Sequence, residues 1–268
     1  MITFLTRPEG RIAYDRTGQG PLVVLVPGMG DLRSTYRFLV PDLAAAGFTV
    51  VSVDLRGHGD SDTGFASYGD AETAEDLAAL LDELGGPAVV VGNSMGAGAG
   101  AYLAAVRPEL VRALVLVGPF VRNGTLSALQ RILMRVALAR PWIATTWKYY
   151  LPSLYAGRRP EDFSEHLDAV VASLKRPGHA AAFAALARSL NHDVVEQRLG
   201  QVRTPTLVVM GALDPDFPDP DAEARWIAGT LNGEVLMVAE AGHYPHAQRP
   251  DLVGPAVVDF TTRVHGGA

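Results

Sequence analysis

The chain has 268 residues, with 23 Lys and Arg against 29 Asp and Glu, a formal net charge of −6, and 48% hydrophobic and 19% charged residues. That length accommodates one large α/β domain with an insertion, and the acidic balance argues against general nucleic-acid binding. There is no cysteine, which excludes disulfides and cysteine-based metal sites. Met1 to Pro8 lack a basic region followed by a long apolar stretch, so no secretory signal is expected and the cytoplasm is the expected location.

In chain order, residues 2–6 and 11–16 read as short strands, with Gly18-Gln19-Gly20 as a turn, and 22–26 as a buried strand. Residues 34–46 read as a helix that Pro41 bends or restarts. A strand is expected at 48–53, then an amphipathic helix at 71–84 with Leu77, Leu80, Leu81 and Leu84 on one face. The apolar run 88–91 leads into Gly92-Asn93-Ser94-Met95-Gly96 and a small-residue helix to Val106, followed by a strand at 113–117. From Phe120 to Leu199 the alternation stops and helices alone are expected, at about 125–139, 143–151, 161–174 and 178–190. Strand 206–210, helix 221–231, strand 234–238 and helix 250–264 complete the chain. Short apolar strands alternating with helices predict an α/β fold, a mostly parallel sheet covered on both faces.

Residues 92–96 have the form G-x-S-x-G between a strand and a helix. A serine hydroxyl is a poor nucleophile unless a base deprotonates it and a turn exposes it. A sharp strand-to-helix turn supplies the exposure, and the helix N-terminus behind it aims N–H groups at developing negative charge. A base and an acid are also present. Asp214 follows strand 206–210 and His243 follows strand 234–238. His243 would take the Ser94 proton and return it to the leaving group, and Asp214 would orient the imidazole and stabilise the imidazolium. Asp216 or Asp219 could serve as the acid instead, and His246 competes with His243 as the base. Asp214 is preferred because it stands closest to the strand end.

Two other motifs dissolve on inspection. Gly85 to Val106 contains no charged residue, long enough for a membrane helix, but its character changes from valines to a turn to Ala and Gly at helical spacing. Gly96 to Ala101 loosely matches a dinucleotide fingerprint. That motif needs its turn at the glycines and an acidic residue about 20 positions on, and the next strand ends in Gly118-Pro119.

With these residues the chain resembles the α/β-hydrolase family, in its serine-nucleophile branch of esterase- and lipase-like enzymes with a helical cap. The matching pieces run nearly its whole length: Pro27-Gly28-Met29-Gly30, Asp54 to Ser61, the Ser94 turn, the Asp214 loop and the His243 loop, with serine, acid and histidine in the family's order. The resemblance implies an oxyanion hole from the backbone N–H groups of Met29 and Met95, no cofactor and no metal. It also implies a core at 1–119 and 200–268 with a cap at 120–199. Many relatives carry His-Gly where this chain has Pro27-Gly28. The family's other acid position, after strand 113–117, holds Gly118-Pro119 here, which strengthens Asp214; the Gly-His-x-Pro setting favours His243. His58, Asp54 and Arg56 are expected to brace their turn, and His166, His179 and His192 to be surface or packing residues.

In the cap, Leu126, Leu129, Ile132, Leu133 and Val136 fall near helical spacing. Trp142, Trp147 and Tyr150, with Tyr149 and Tyr155, either line an apolar substrate pocket or hold the cap together. From Phe120 to Pro160 there is no Asp or Glu, while Arg122, Arg131, Arg135, Arg140, Lys148, Arg158 and Arg159 are basic. This is either a solvated face or a patch that steers anionic substrates or docks on an anionic surface.

The resulting expectation is a hydrolase that cleaves a carboxylic ester, thioester or lactone through an acyl-enzyme, acting on a small molecule with an apolar part. Carbon–carbon bond hydrolysis and cofactor-free perhydrolase or haloperoxidase chemistry belong to relatives of the same fold, and some relatives are slow-turnover small-molecule receptors. Ser94 argues against the dehalogenases and epoxide hydrolases of the family, which use an aspartate nucleophile.

Overall fold

A computed structural model of the chain describes residues 2–124, 136–139 and 142–266. Its centre is an eight-stranded sheet. The strands are β1 (Thr3–Arg7), β2 (Gly10–Thr17), β3 (Leu22–Val26), β4 (Thr49–Val53), β5 (Ala88–Asn93), β6 (Val111–Val117), β7 (Thr206–Gly211) and β8 (Glu234–Val238), in the order β1-β2-β4-β3-β5-β6-β7-β8. The β1–β2 and β2–β4 pairs are antiparallel and all others parallel. Strands β3, β4, β5 and β7 are buried along their whole length, as strands covered on both faces must be, and valines fill them because β-branched side chains suit a pleated surface.

The helices are α1 (Leu39–Ala45), α2 (Asp70–Leu84), α3 (Met95–Val106), α4 (Ile143–Leu154), α5 (Phe163–Leu174), α6 (His179–Ser189), α7 (Asp193–Leu199), α8 (Pro220–Leu231), α9 (Pro245–Gln248) and α10 (Pro250–Gly266). Alternation along the strands divides the core in two. Val24, Val26 and Val90 pack with Leu77, Leu80 and Leu81 of α2, Leu103 of α3 and Ile227 of α8. Val23, Leu25, Val89 and Val91 pack on the other face with Leu39 and Leu43 of α1 and Val253, Val257 and Phe260 of α10. A third apolar cluster joins the helices between β6 and β7 to the body, with Ile143, Trp147, Leu151, Phe163, Val170 and Phe183 packing against Tyr244 and Ala247.

Several expectations need adjustment. The helix read over 34–46 is two pieces, a 3-10 turn at Arg33–Tyr36 and α1. Pro41 is the third residue of α1, in the first turn, where its missing N–H has no intrahelical partner to lose. The helix read at about 125–139 lies largely outside the described residues. Two short helices, α7 and α9, were not expected, since one or two turns carry too little periodicity to read. No helix among the described residues is long and apolar enough to cross a membrane. The uncharged run 85–106 is the end of the α2 turn, β5, a tight turn and α3.

The chain leaves β3 to form β4 on one side and then crosses to form β5 on the other. This reversal opens a crevice at the carboxyl ends of β3 and β5, where parallel sheets hold their ligands. Both Pro27-Gly28 and Ser94 stand at that edge.

Candidate active site

Ser94 sits between β5 and α3 with φ 57° and ψ −122°, in a region that a residue with a Cβ avoids at a cost of roughly 1–3 kcal/mol. The surroundings hold it there. Its N–H donates to Val117 O at 2.9 Å, and its neighbours are small because nothing larger fits. A Cβ on Gly96 would lie 2.5 Å from the carbonyl oxygens of Val26 and Pro27. One on Gly28 would lie 2.8 Å from Ser94 Cβ and 3.3 Å from its Oγ, so the loop after β3 runs directly against the serine. Ser94 is half-buried, while Asp214 and His243 are almost fully buried.

The loops after β7 and β8 bring the other two residues together. His243 Nδ1 lies 2.8 Å from Asp214 Oδ2, the contact that places the Nδ1 proton toward the carboxylate and leaves Nε2 as the basic nitrogen. Asp214 Oδ1 accepts from the Asp216 N–H at 3.0 Å. The competing residues have other partners. Asp219 is the N-cap of α8, accepting from the Ala222 N–H at 3.0 Å, so Asp219→Ala is expected to cost about 1 kcal/mol of stability with kcat unchanged, read by thermal melting beside an activity assay. His246 is buried in α9 with Nε2 3.1 Å from Thr35 Oγ1 and its ring stacked on Tyr36.

The histidine loop is tied down from three directions. Asn93, next to the serine, donates through Nδ2 to Val117 O and His243 O, both at 3.1 Å. The His243 N–H donates to Leu154 O at the end of α4 at 2.8 Å. Gln248, almost fully buried, accepts from the Gly242 N–H at 2.9 Å and donates to Ala156 O at 2.9 Å and Arg158 O at 2.7 Å. Sequence reading passed over Gln248, because a glutamine carries no signal until the loop it spans is known. Gln248→Ala strands a buried N–H and two carbonyls, so it is expected to cost about 3 kcal/mol in denaturant unfolding and to lower kcat about tenfold as the His243 loop loosens.

The loop bearing Met29 is clamped at the next residue. The Gly30 N–H donates to His58 Nε2 at 2.9 Å, while His58 Nδ1 lies 2.8 Å from Arg56 O. Gly30 O accepts from Trp147 Nε1 at 2.8 Å. Burial pushes the His58 imidazole down to about 4, which keeps it neutral and able to accept. Asp54 braces the same turn, accepting from the Arg33 and Asp60 N–H groups at 2.9 Å and pairing with the Arg33 guanidinium. Arg56 is bound to Asp76 at 2.6 Å.

The three aromatics expected in a cap are separated in role. Trp147 is buried against Phe183 and the Gly30 loop. Trp142 is 48% exposed and donates to Val136 O. Tyr150 is 41% exposed and donates to Asp216 Oδ1 at 3.0 Å. Two aromatics outside the sequence-based set lead to the histidine, one beside it and the second packed on the first. Phe120 has its ring 5.8 Å from that of His243 and 5.0 Å from that of Phe217. Each is a lone aromatic on a loop, a pattern that does not show which way it faces.

His166, His179 and His192 are all buried: His166 pairs with Asp31 at 2.8 Å, His192 with Asp70 at 2.7 Å, and His179 Nε2 lies 3.0 Å from Gly59 O. Of the basic residues between Phe120 and Pro160, Arg122 is paired with Glu223 and stacked on Trp226, and Arg159 lies over Phe163. Arg131, Arg135 and Arg140, like Leu126, Leu129, Ile132 and Leu133, fall outside the described residues. A cleft of about 790 Å³ lined by Asp15, Arg33, Asp60 and Arg176 includes none of the three residues at the serine site. Among the described residues one set of metal-type ligands converges, Asp214, Asp216 and His243, with atoms within 4.8 Å of one another. A cation there would compete with the Nδ1 proton that faces Asp214.

The chain as a whole has relatives among known proteins. The model of the alpha/beta hydrolase family matches residues 23–256. The 2-(acetamidomethylene)succinate hydrolase of Mesorhizobium japonicum is 28% identical over 94% of this chain and 92% of its own length. The 2-hydroxy-6-oxononadienedioate/2-hydroxy-6-oxononatrienedioate hydrolase of Paraburkholderia xenovorans is 29% identical over 94% and 91%. Among solved structures, a thermophilic esterase from Thermogutta terrifontis superposes with a TM-score of 0.80 at 25% identity, over 98% of each chain. Sequence, topology and the crevice at the switch of strand order thus agree, and the chain belongs to the alpha/beta hydrolase family.

Proposed function

We propose that this hydrolase cleaves a carboxylic ester, thioester or lactone through an acyl-enzyme on Ser94. The observation that carries the reading is the conjunction at one sheet edge of a serine at φ 57° and a histidine held 2.8 Å from a buried aspartate. His243 takes the Ser94 proton as Oγ attacks the acyl carbon. The N–H groups of Met29 and Met95 receive the charge that develops on the carbonyl oxygen, Met95 at the first turn of α3 and Met29 on the loop that Gly30 anchors. Protonated His243 then gives its proton to the leaving group, and water repeats the sequence to free the acid. Asp214 keeps Nδ1 protonated throughout.

The half-buried ring of Phe120 beside His243, with Phe217 packed on it, and Met29 on the loop after β3 support a substrate with an apolar portion. The assay is hydrolysis of p-nitrophenyl esters from acetate to laurate by the wild type and Ser94→Ala. Rapid turnover that disappears in the variant is expected, with the optimum chain length measuring the apolar space. Turnover equal in the two proteins rules the reading out. The likeness to the Paraburkholderia dienedioate hydrolase favours a second reading, carbon–carbon hydrolysis of a diketone by the same three residues. It takes precedence if the ester panel is inert and a vinylogous diketone acid is consumed.

A further inference from the structure

Asp214 is not the only carboxylate at His243. Asp216, two residues on, has Oδ2 3.6 Å from the same Nδ1 atom. Its own N–H donates to Asp214 Oδ1, so the two acids are locked into one turn. Its other oxygen accepts from the Tyr150 hydroxyl at 3.0 Å. Tyr150 stands on α4, whose last turn also receives the His243 N–H through Leu154 O. The cap helix therefore touches the histidine loop through its backbone and the second acid through a side chain. The Asp216 side chain is 19% exposed, against 0% for Asp214, so without the Tyr150 hydroxyl it has water to turn toward.

We propose that Asp216 is a second, positioning carboxylate for His243, held on the imidazole by the Tyr150 hydroxyl, so that the seating of α4 and the basicity of the histidine are coupled. The proposal rests on the reading of His243 as the base. When Ser94 gives up its proton, the imidazolium meets two negative charges rather than one, and a displaced α4 releases one of them. The other groups around the ring come from separate elements: Asp31 from the loop after β3, Tyr244 and His246 beside and within α9, and the uncharged Gly118 and Phe120 after β6. Asp31 already faces His166 at 2.8 Å and burial holds His246 neutral, which leaves Asp216 as the charge next in distance after Asp214. Burial opposes protonation of His243, and Asp214 followed by Asp216 outweighs it.

The test reads the imidazole without substrate. The full chain, labelled with ¹⁵N-histidine and carrying Ser94→Ala, is titrated by NMR, with His243→Gln assigning the resonance. Asp216→Asn preserves an acceptor for Tyr150 and removes only the charge. It is expected to lower the proton affinity of His243 roughly tenfold or more. Tyr150→Phe, at a half-exposed ring, is expected to move the midpoint the same way by a smaller amount. It keeps the test open if the first variant folds poorly. On the active background, Asp214→Asn is expected to retain a residue of turnover that Asp214→Asn/Asp216→Asn loses by about a further tenfold. A residue with a merely structural role would lower activity at every pH and leave the midpoint in place. An unchanged midpoint in both single variants overturns the proposal even if esters are hydrolysed. A shifted midpoint in a protein that hydrolyses no ester sinks the ester reading and leaves the coupling standing.

Discussion

Ser94→Ala is expected to lower kcat on any ester the wild type hydrolyses by about 10⁴-fold or more, with KM little changed and the fold intact. In the proposed mechanism the hydroxyl oxygen forms the acyl bond, and water cannot occupy its place with the same geometry against His243. Little packing is lost, because the side chain is half-buried and the turn is fixed by the Ser94 N–H bond to Val117 O and by the contacts of Gly28 and Gly96. Ser94→Gly extends the argument to energetics. At φ 57° and ψ −122° the wild-type Cβ is strained, so glycine is expected to stabilise the protein by about 1 kcal/mol while losing turnover equally. Steady-state kinetics and thermal melts of the three proteins decide both points. A residual rate near wild type in Ser94→Ala removes the acyl-enzyme. A lower Tm in Ser94→Gly removes the idea that the turn stores strain on behalf of the nucleophile.

The parts of the molecule legible beforehand are those where one local signal is enough. Strands β3, β5 and β7 announce themselves as short valine-rich runs because both sheet faces are covered. The Ser94 turn is visible because backbone crowding there tolerates little but glycine, and Asp214 and His243 stand one turn beyond their strands. What the sequence conceals is the layer that holds these residues. Gln248 spans two loops, and Asn93 joins β6 to the histidine loop. His58 accepts from the loop after β3 across 28 positions of sequence. Each is a polar residue whose partner is a backbone group, and such pairings have no period and no composition. Trp147 shows the reverse limit. Its apolar character predicted burial in the cap, but its indole N–H bond to Gly30 O makes it a brace for the loop expected to stabilise the oxyanion.

Activity is expected to rise with pH well past neutrality. Burial by itself would hold the His243 imidazole neutral, but Asp214 at 2.8 Å, then Asp216 and the buried Asp31, overcome it and lift the ring to about 9. A general base must be unprotonated to accept the Ser94 proton, so kcat/KM for a neutral ester should climb by about tenfold per pH unit from near pH 6 and level off close to that value. The same shift acts on stability with the opposite slope. A histidine raised from its ordinary 6.5 contributes stability that is complete below 6.5 and is lost as pH rises through about 9. His58 and His246 run the other way. Burial pushes them to about 4 and about 3, so their contribution is present above 6.5 and declines as pH falls from there. The fold is thus weakened from the acid side by two histidines it needs neutral, and from the alkaline side by the one it prefers charged. Turnover is greatest where the protein gives up that last contribution, because the interaction that stabilises the imidazolium in the resting fold is the one that stabilises it in the transition state. Rate profiles and melts across about pH 5.5–9.5 test both slopes. A rate already flat above pH 7 would mean that the two carboxylates do not act on the imidazole together.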